Sequence, residues 1–396
     1  MLWWLSVASA ATLVAGTDAP SLQATIDRAV DGDTVLVPEG VWHGPITVNR
    51  SITLRGTGGV LDGEHEGTIL RVSAPNVVVE QLHLVNSGHD LRAEDACIRT
   101  APSAAGTILR DNTLTSCDFG IWVHQGKGVH LLNNHIEGLR DITGSRKGNG
   151  IHLFDGSELE IRGNVVQYAR DGIYVSATHN SVIADNKASY QRYGIHYMYS
   201  FDNVIQGNQT NHNTGGIALM QSHRLRVEDN ISSFKKEKGV LFRDVQYTQI
   251  RGNTVEGNGE GFFFFSSYDN TIEANTFLNN GTGARIWAGT GRNLVVDNAF
   301  VGNREQVLYI SHEDQVWGAP GRGNYWSDYV GWDQDGDGLG DRPYRVDSLT
   351  ANLLHRYPSA VLLLSSPALE LLRYLQERTP SLRFDTIIDP QPRVSP

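Results

Sequence analysis

Basic charge, cysteine, methionine and long apolar runs are all scarce in this sequence, and each shortage closes a class of protein. Thirty-three Lys and Arg face 44 Asp and Glu, for a formal net charge of −11. That balance argues against nucleic acid as a partner, because nucleic acid selects a basic surface. Two cysteines, Cys97 and Cys117, are too few for a disulfide-dense scaffold. They stand 20 residues apart, and a disulfide, two buried thiols and a pair of metal thiolates all remain open. No run of 18 charge-free apolar residues occurs, so no transmembrane helix is expected. The phosphate-binding pattern Gly-x-x-x-x-Gly-Lys-Ser/Thr is missing too, so any ATP hydrolysis must come from another chain.

What the chain has in quantity is repetition. Asn112, Asn134, Asn164, Asn186, Asn208, Asn230, Asn253, Asn275 and Asn298 recur at steps of 22, 30, 22, 22, 22, 23, 22 and 23 residues. Gly120, Gly150, Gly172, Gly194, Gly216, Gly239, Gly261 and Gly283 keep the same beat. A fixed period of this size means a solenoid. The segments between are short, alternating and rich in Val, Ile, Phe and Tyr, which reads as strand. Three short strands and three turns make a coil of a parallel β-helix, stacked at about 4.8 Å on the next. The recurring Asn is expected at a turn, tolerating left-handed geometry and bonding its amide to the Asn above and below. The 30-residue step holds an eight-residue insertion with Arg140, Arg146 and Lys147, a basic loop bulging from one face.

Counted from each Gly, positions +1 and +3 are almost all apolar, from Ile121 and Val123 to Ala284 and Ile286. Strand side chains alternate faces, so these point inward and positions +2 and +4 point outward. The outward set includes Trp122, His152, Tyr174, His196, Met198 and Met220 and no carboxylate. Met198 and Met220 lie 22 residues apart, so adjacent coils would bring them within about 5 Å. His196 lies on the same strand face as Met198, and His152 is two coils away in the His196 column, with Tyr174 between. Two imidazoles and two thioethers make His196, Met198, Met220 and His152 copper candidates, best suited to Cu(I). An apolar face with Met also suits a protein partner. Glycosidic chemistry would need two carboxylates about 5–9.5 Å apart. Asp155 and Asp244, both at +5, are four coils apart, which leaves carbohydrate binding without catalysis.

Near the end, Asp333, Asp335, Asp337 and Asp341 occupy positions 1, 3, 5 and 9 of a calcium loop, with Gly338 at 6. Position 12 is Tyr344 in place of the usual bidentate Glu. Residues 1–15 are apolar, end in small residues and lack basic ones, and are expected to be a secretory signal segment. Ser21–Val30 should form a short capping helix with Leu22, Ile26, Ala29 and Val30 on one face. Asp33, His43, His65, His83 and His89 read as scattered surface or turn residues.

The run GNYWSDYVGWDQDGDGLGDRPYR, and the coil RYGIHYMYSFDNVIQGN at Arg192–Asn208, resemble the NosD family of periplasmic maturation proteins of nitrous oxide reductase. The likeness runs from about Leu22 to Tyr357, and His196, Tyr197, Met198 and Tyr199 are the matching residues. The resemblance implies a non-enzymatic accessory subunit on the periplasmic side of an ABC transporter. It also implies copper delivery, with a permease, a cytoplasmic ATPase, a copper-chaperone lipoprotein and the reductase as partners. A secreted polysaccharide lyase, epimerase or hydrolase is the alternative from another class.

The expected organisation is a signal segment at 1–15, then an all-β, right-handed parallel β-helix over 16–330 with coils of about 22 residues. An Asp/Gly-rich loop at 331–345 and a docking extension at 346–396 follow. In that extension Leu369, Leu372 and Leu375 share a helical face after Pro367.

Overall fold

A computed structural model describes residues 10–142, 144–234, 237–287, 289–310, 313–346, 357–363, 366–378 and 385–396. The chain divides into two units, residues 1–213 and 214–396, and both are built from coils of a right-handed parallel β-helix.

In the first unit Thr12–Val14 pairs in parallel with Thr34–Leu36, so the first coil begins within the expected signal segment. Residues 1–9 of that segment lie outside the described residues. The helix spans Leu22–Arg28, and Ser21 Oγ caps it by accepting from Ala24 N. Leu22, Ile26 and Ala29 are buried as expected, but Val30 is 54% exposed. The helix ends at Arg28, so Val30 has left the helical face. Asp33 is buried rather than on the surface, and accepts from Ala11 N and Val30 N.

Each later coil supplies three strands, as in Val182–Ala184, Lys187–Ser189 and Tyr193–Met198. The inward columns stack in register, Ile121–Ile151–Ile173–Ile195 and Val123–Leu153–Val175–Tyr197. All eight side chains are fully buried. Equal coil length therefore puts like against like, and one apolar seam runs through the unit.

The Asn column forms the expected amide ladder. Nδ2 of Asn112, Asn134, Asn164 and Asn186 donates to Oδ1 of the next Asn at 2.9–3.0 Å. Left-handed geometry sits one residue earlier, at Asp111, Asn133, Gly163, Asp185 and Gly207. Those residues make the turn, and the Asn turns inward to satisfy the backbone groups that the turn leaves unpaired.

Cys97 and Cys117 are joined as a disulfide, with Cα atoms 5.6 Å apart and both residues fully buried. Their coils are neighbours, since Ile98 pairs with Ile121. The insertion includes a short turn at Gly144–Arg146. Arg140 and Arg146 are exposed, whereas Lys147 is buried with Nζ on Tyr168 O at 2.8 Å.

The second unit stacks Lys238–Arg243, Glu260–Phe265, Thr282–Ile286 and Glu305–Tyr309 in the same way. Its core is more aromatic, with Phe277, Phe300, Trp326 and Tyr344 stacked at 4.3–4.4 Å. In this unit the Asn column runs through Asn230, Asn253, Asn275, Asn298 and Asn324 and ends on Asp389. Asp389 lies on the returning strand Ile387–Asp389, which also pairs with Gln315–Val316 and Tyr344–Arg345. Its Oδ2 accepts from Asn324 N, Asn324 Nδ2 and Trp326 Nε1 at 2.7–3.0 Å. Burial still pushes the carboxyl above its ordinary value, against those hydrogen bonds. The helix Pro367–Arg378 buries Leu369 and exposes Leu371, Tyr374 and Leu375. The side chain of Leu372 lies outside the described residues. Among the described residues, no helix is long and apolar enough to cross a membrane.

Candidate functional site

The strand Tyr193–Met198 holds Ile195 and Tyr197 in the core and turns His196 and Met198 outward. Across the first unit the outward column reads Arg99, Trp122, His152, Tyr174 and His196, paired coil by coil. The rings pack on one another, Trp122 to His152 at 3.7 Å, His152 to Tyr174 at 4.7 Å and Tyr174 to His196 at 5.1 Å. Arg99 lies over Trp122 at 5.7 Å. Outward therefore does not mean exposed. Adjacent coils bring the rings to 3.7–5.1 Å, within packing contact, so each ring covers its neighbour, and His196 is only 5% exposed.

Two residues that the strand columns do not reveal complete the setting of His196. Asp171, one position before Gly172, is buried, and Arg192 holds it by a two-pronged contact of 2.8 and 2.6 Å. His196 Nδ1 lies 3.0 Å from Asp171 Oδ2. Burial pushes Asp171 up, but the hydrogen bonds from His196 and Arg192 outweigh it and hold the carboxyl below its ordinary value. Arg192 Nη2, a donor, also lies 3.2 Å from Nδ1, but it is already spent on Asp171 Oδ2 at 2.6 Å. An ionised carboxylate only accepts, so the shorter Asp171 contact puts the imidazole proton on Nδ1 and the lone pair on Nε2. Nε2 is buried and, among the described residues, has no hydrogen-bond partner. A buried acceptor without a donor costs about 1–3 kcal/mol, which a ligand at Nε2 would relieve. A carboxylate behind the distal nitrogen is also the usual support of a metal-ligating His.

Met198 is half-buried at the end of the same strand, and its Sδ accepts from Tyr174 OH at 3.5 Å. His152 is set differently. Asp171 N donates to Asn149 Oδ1 at 3.3 Å, which aims Asn149 Nδ2 at His152 Nδ1, 3.1 Å away. The His152 proton is then on Nε2. Burial lowers its pKa to about 3, so the ring is neutral at any physiological pH. His152 is in the expected column, two coils from His196, but serves there as a hydrogen-bond acceptor and a stacking ring.

In the second unit Met220 ends the strand Gly215–Met220 and is half-buried, with Ile217 and Leu219 in the core. It belongs to the other unit from Met198, so their closeness stays an expectation of equal coil length. Asp333, Asp335 and Asp337 bring ligand atoms within 4.8 Å of one another. Asp333 also accepts from Gly336 N and Gly338 N, which lowers its pKa. Asp341 stands apart from the three, with Oδ2 on Gln334 N at 2.7 Å.

The first unit thus offers an oriented imidazole and a thioether on one strand face, a soft pair suited to a monovalent soft cation. The carboxylate in contact with His196, Asp171, is committed to Arg192 and His196.

A sequence model of the family described as "Periplasmic copper-binding protein (NosD)" matches residues 132–331. The chain is 43% identical over 368 residues to the "Probable ABC transporter binding protein NosD" of Pseudomonas aeruginosa, covering 89% of this chain and 86% of that one. It is 39% identical over 391 residues to the protein of the same name from Stutzerimonas stutzeri, covering 94% and 90%. Among solved structures it resembles the Family 28 exopolygalacturonase of Yersinia enterocolitica, with a TM-score of 0.59, 10% identity and 78% of each chain covered. At that identity the likeness is one of fold alone.

Proposed function

Because the chain belongs to the NosD family of periplasmic copper-binding proteins, we propose that it is the copper-handling binding subunit of an ABC-type transporter. Its cargo is Cu(I), on its way to the copper centres of nitrous oxide reductase. The observation that carries this reading is His196, whose Nδ1 is anchored on Asp171 and whose buried Nε2 has no partner among the described residues, two residues from the Met198 thioether. His196 and Met198 are the primary donors of the first unit. Met220 is proposed as a thioether donor of the second unit, to be tested on its own. His152 supports the site by packing. The subunit carries out no bond chemistry, and the disulfide fits an oxidising compartment such as the periplasm.

The partners on this reading are a permease and its ATPase, a copper-chaperone lipoprotein and the reductase. The exposed Leu371, Tyr374 and Leu375 of Pro367–Arg378 form the docking face for the permease, as an amphipathic helix in an apolar groove.

Competition for Cu(I) against a chromophoric chelator, under anaerobic conditions, tests the reading. Met198→Ala is expected to weaken binding about tenfold and His196→Ala more, each donor contributing about 1.4 kcal/mol or above. Unchanged Cu(I) affinity in both variants, or turnover of a uronate polymer by the wild type, would overturn it.

Calcium is a separate part of the proposal, structural in role and held by Asp333, Asp335 and Asp337, with Asp341 joining through the loop. Three like charges within 4.8 Å repel until a cation neutralises them. Millimolar Ca²⁺ should raise the thermal midpoint of the wild type and leave Asp333→Asn/Asp335→Asn unmoved. A midpoint indifferent to Ca²⁺ in the wild type removes this part alone.

A further inference from the structure

Tyr174 touches both donors of the first unit. Its ring meets the His196 imidazole edge to face at 5.1 Å, and its hydroxyl donates to Met198 Sδ at 3.5 Å. The ring is itself held from the other side, where it meets His152 at 4.7 Å, and the inward neighbours Ile173 and Val175 are fully buried. We propose that Tyr174 is a positioning residue, which fixes the Met198 sulfur beside His196 and gives the site its preference for soft monovalent cations. This rests on the copper reading above.

The physical argument starts from the flexibility of methionine. Its side chain has three rotatable bonds, and a half-exposed thioether samples many rotamers. Immobilising such a side chain when a ligand arrives costs about 0.5–1.5 kcal/mol. A thioether sulfur has two lone pairs. The phenol uses one and leaves the other for a metal, so the hydrogen bond orders the sulfur without occupying it. The tyrosine ring cannot swing away, because His152 and His196 clamp it along the column. Sulfur placement is thereby tied to the stacked rings.

Selectivity follows from the same geometry. A metal that binds chiefly through imidazole, such as Zn²⁺, takes little from an ordered thioether. A metal that needs the sulfur, such as Cu(I) or Ag(I), gains from it.

The test is a double-mutant cycle of Tyr174→Phe and Met198→Ala, with Cu(I) and Zn²⁺ affinities measured on the full chain. Phenylalanine keeps the ring between the two histidines and deletes only the hydroxyl, and circular dichroism checks the fold. Tyr174→Phe is expected to weaken Cu(I) about fivefold, to leave Zn²⁺ within about twofold, and to do nothing further in the Met198→Ala background. Equal losses for Cu(I) and Zn²⁺, or a loss that persists without Met198, would mean a merely structural tyrosine and overturn the inference. Unchanged Cu(I) affinity in Tyr174→Phe beside a weakened Met198→Ala overturns it while the copper reading stands. If Met198→Ala is itself silent, the role of Met198 in copper binding falls, and the positioning role with it.

Discussion

Asn186→Ala is expected to destabilise the first unit by about 3–5 kcal/mol, more than truncation of any exposed side chain on the same coil. Asn186 is 1% exposed. Its Oδ1 accepts from Asn164 N at 2.9 Å and Asn164 Nδ2 at 3.0 Å. Its Nδ2 donates to Ile161 O at 2.8 Å and to Asn208 Oδ1 at 3.0 Å. Alanine leaves the Asn164 N–H and the Ile161 carbonyl without partners in the interior, at about 1–3 kcal/mol each. A water in the vacated space could recover part of that. Asn186→Asp probes the same site from another side. It keeps the acceptors, deletes both donors and buries a charge, so it should be at least as damaging at neutral pH and milder in acid. Urea midpoints, with the slope checked for two-state behaviour, decide it. An alanine variant with a wild-type midpoint would mean that the ladder is ornament on a fold held by its apolar seam.

The second unit shows why the ladder takes a carboxylate at its last rung. Asp389 ends the run that begins with the asparagines, accepting from Asn324 and Trp326. A last rung has no following coil to donate to, so a residue that only accepts can stand there. Every earlier rung must both accept and donate, which is why the column is asparagine from Asn253 to Asn324.

The coil length and the inward columns are legible in the sequence because a solenoid imposes them at every turn. Ile121, Ile151, Ile173 and Ile195 must each fill the same slot, so one period exposes them all. The ladder is legible for the same reason, but its geometry is not. Asparagine both tolerates left-handed backbone and pairs its amide, and the repeat does not say which property is in use. The residue before it carries the clue, since Asp111, Asn133, Gly163, Asp185 and Gly207 are themselves turn formers, and those are the left-handed residues. Asp171 and Arg192 escape a reading by strand columns because they lie one and two places ahead of their glycines, outside the +1 to +4 positions, and Asp171 meets His196 only across coils. Extending the columns one and two places ahead of each glycine would have placed them together. Exposure is the other gap. Alternation gives the direction of a side chain, not its cover, and the cover on His196 comes from Tyr174 and Tyr193, 5.1 Å away in each case.

Removing the Cys97–Cys117 crosslink should cost about 3 kcal/mol, the entropy returned to an unfolded chain when a closed loop of this size is released. The two cysteines are 20 residues apart in sequence and joined across adjacent coils. They lie where the array is least regular, just before the 30-residue step that carries the insertion. A strict 22-residue coil finds its register from repetition, whereas the coils on either side of an insertion have less to enforce it. The crosslink ties Ala96–Thr100 to the end of Thr113–Cys117, two residues ahead of Phe119–His124, the strand that carries Trp122. It therefore fixes the far end of the column that ends at His196. Cys97→Ala/Cys117→Ala is the variant of choice, because alanine leaves no buried hydroxyl in place of sulfur. Its urea midpoint should fall well below that of the oxidised wild type, and its Cu(I) affinity should change far less, since His196 is three coils beyond Trp122. A wild-type midpoint would show that neighbouring coils hold this register unaided. A midpoint and a copper affinity that fall together would show instead that order in the His196 strand is set from the crosslinked end.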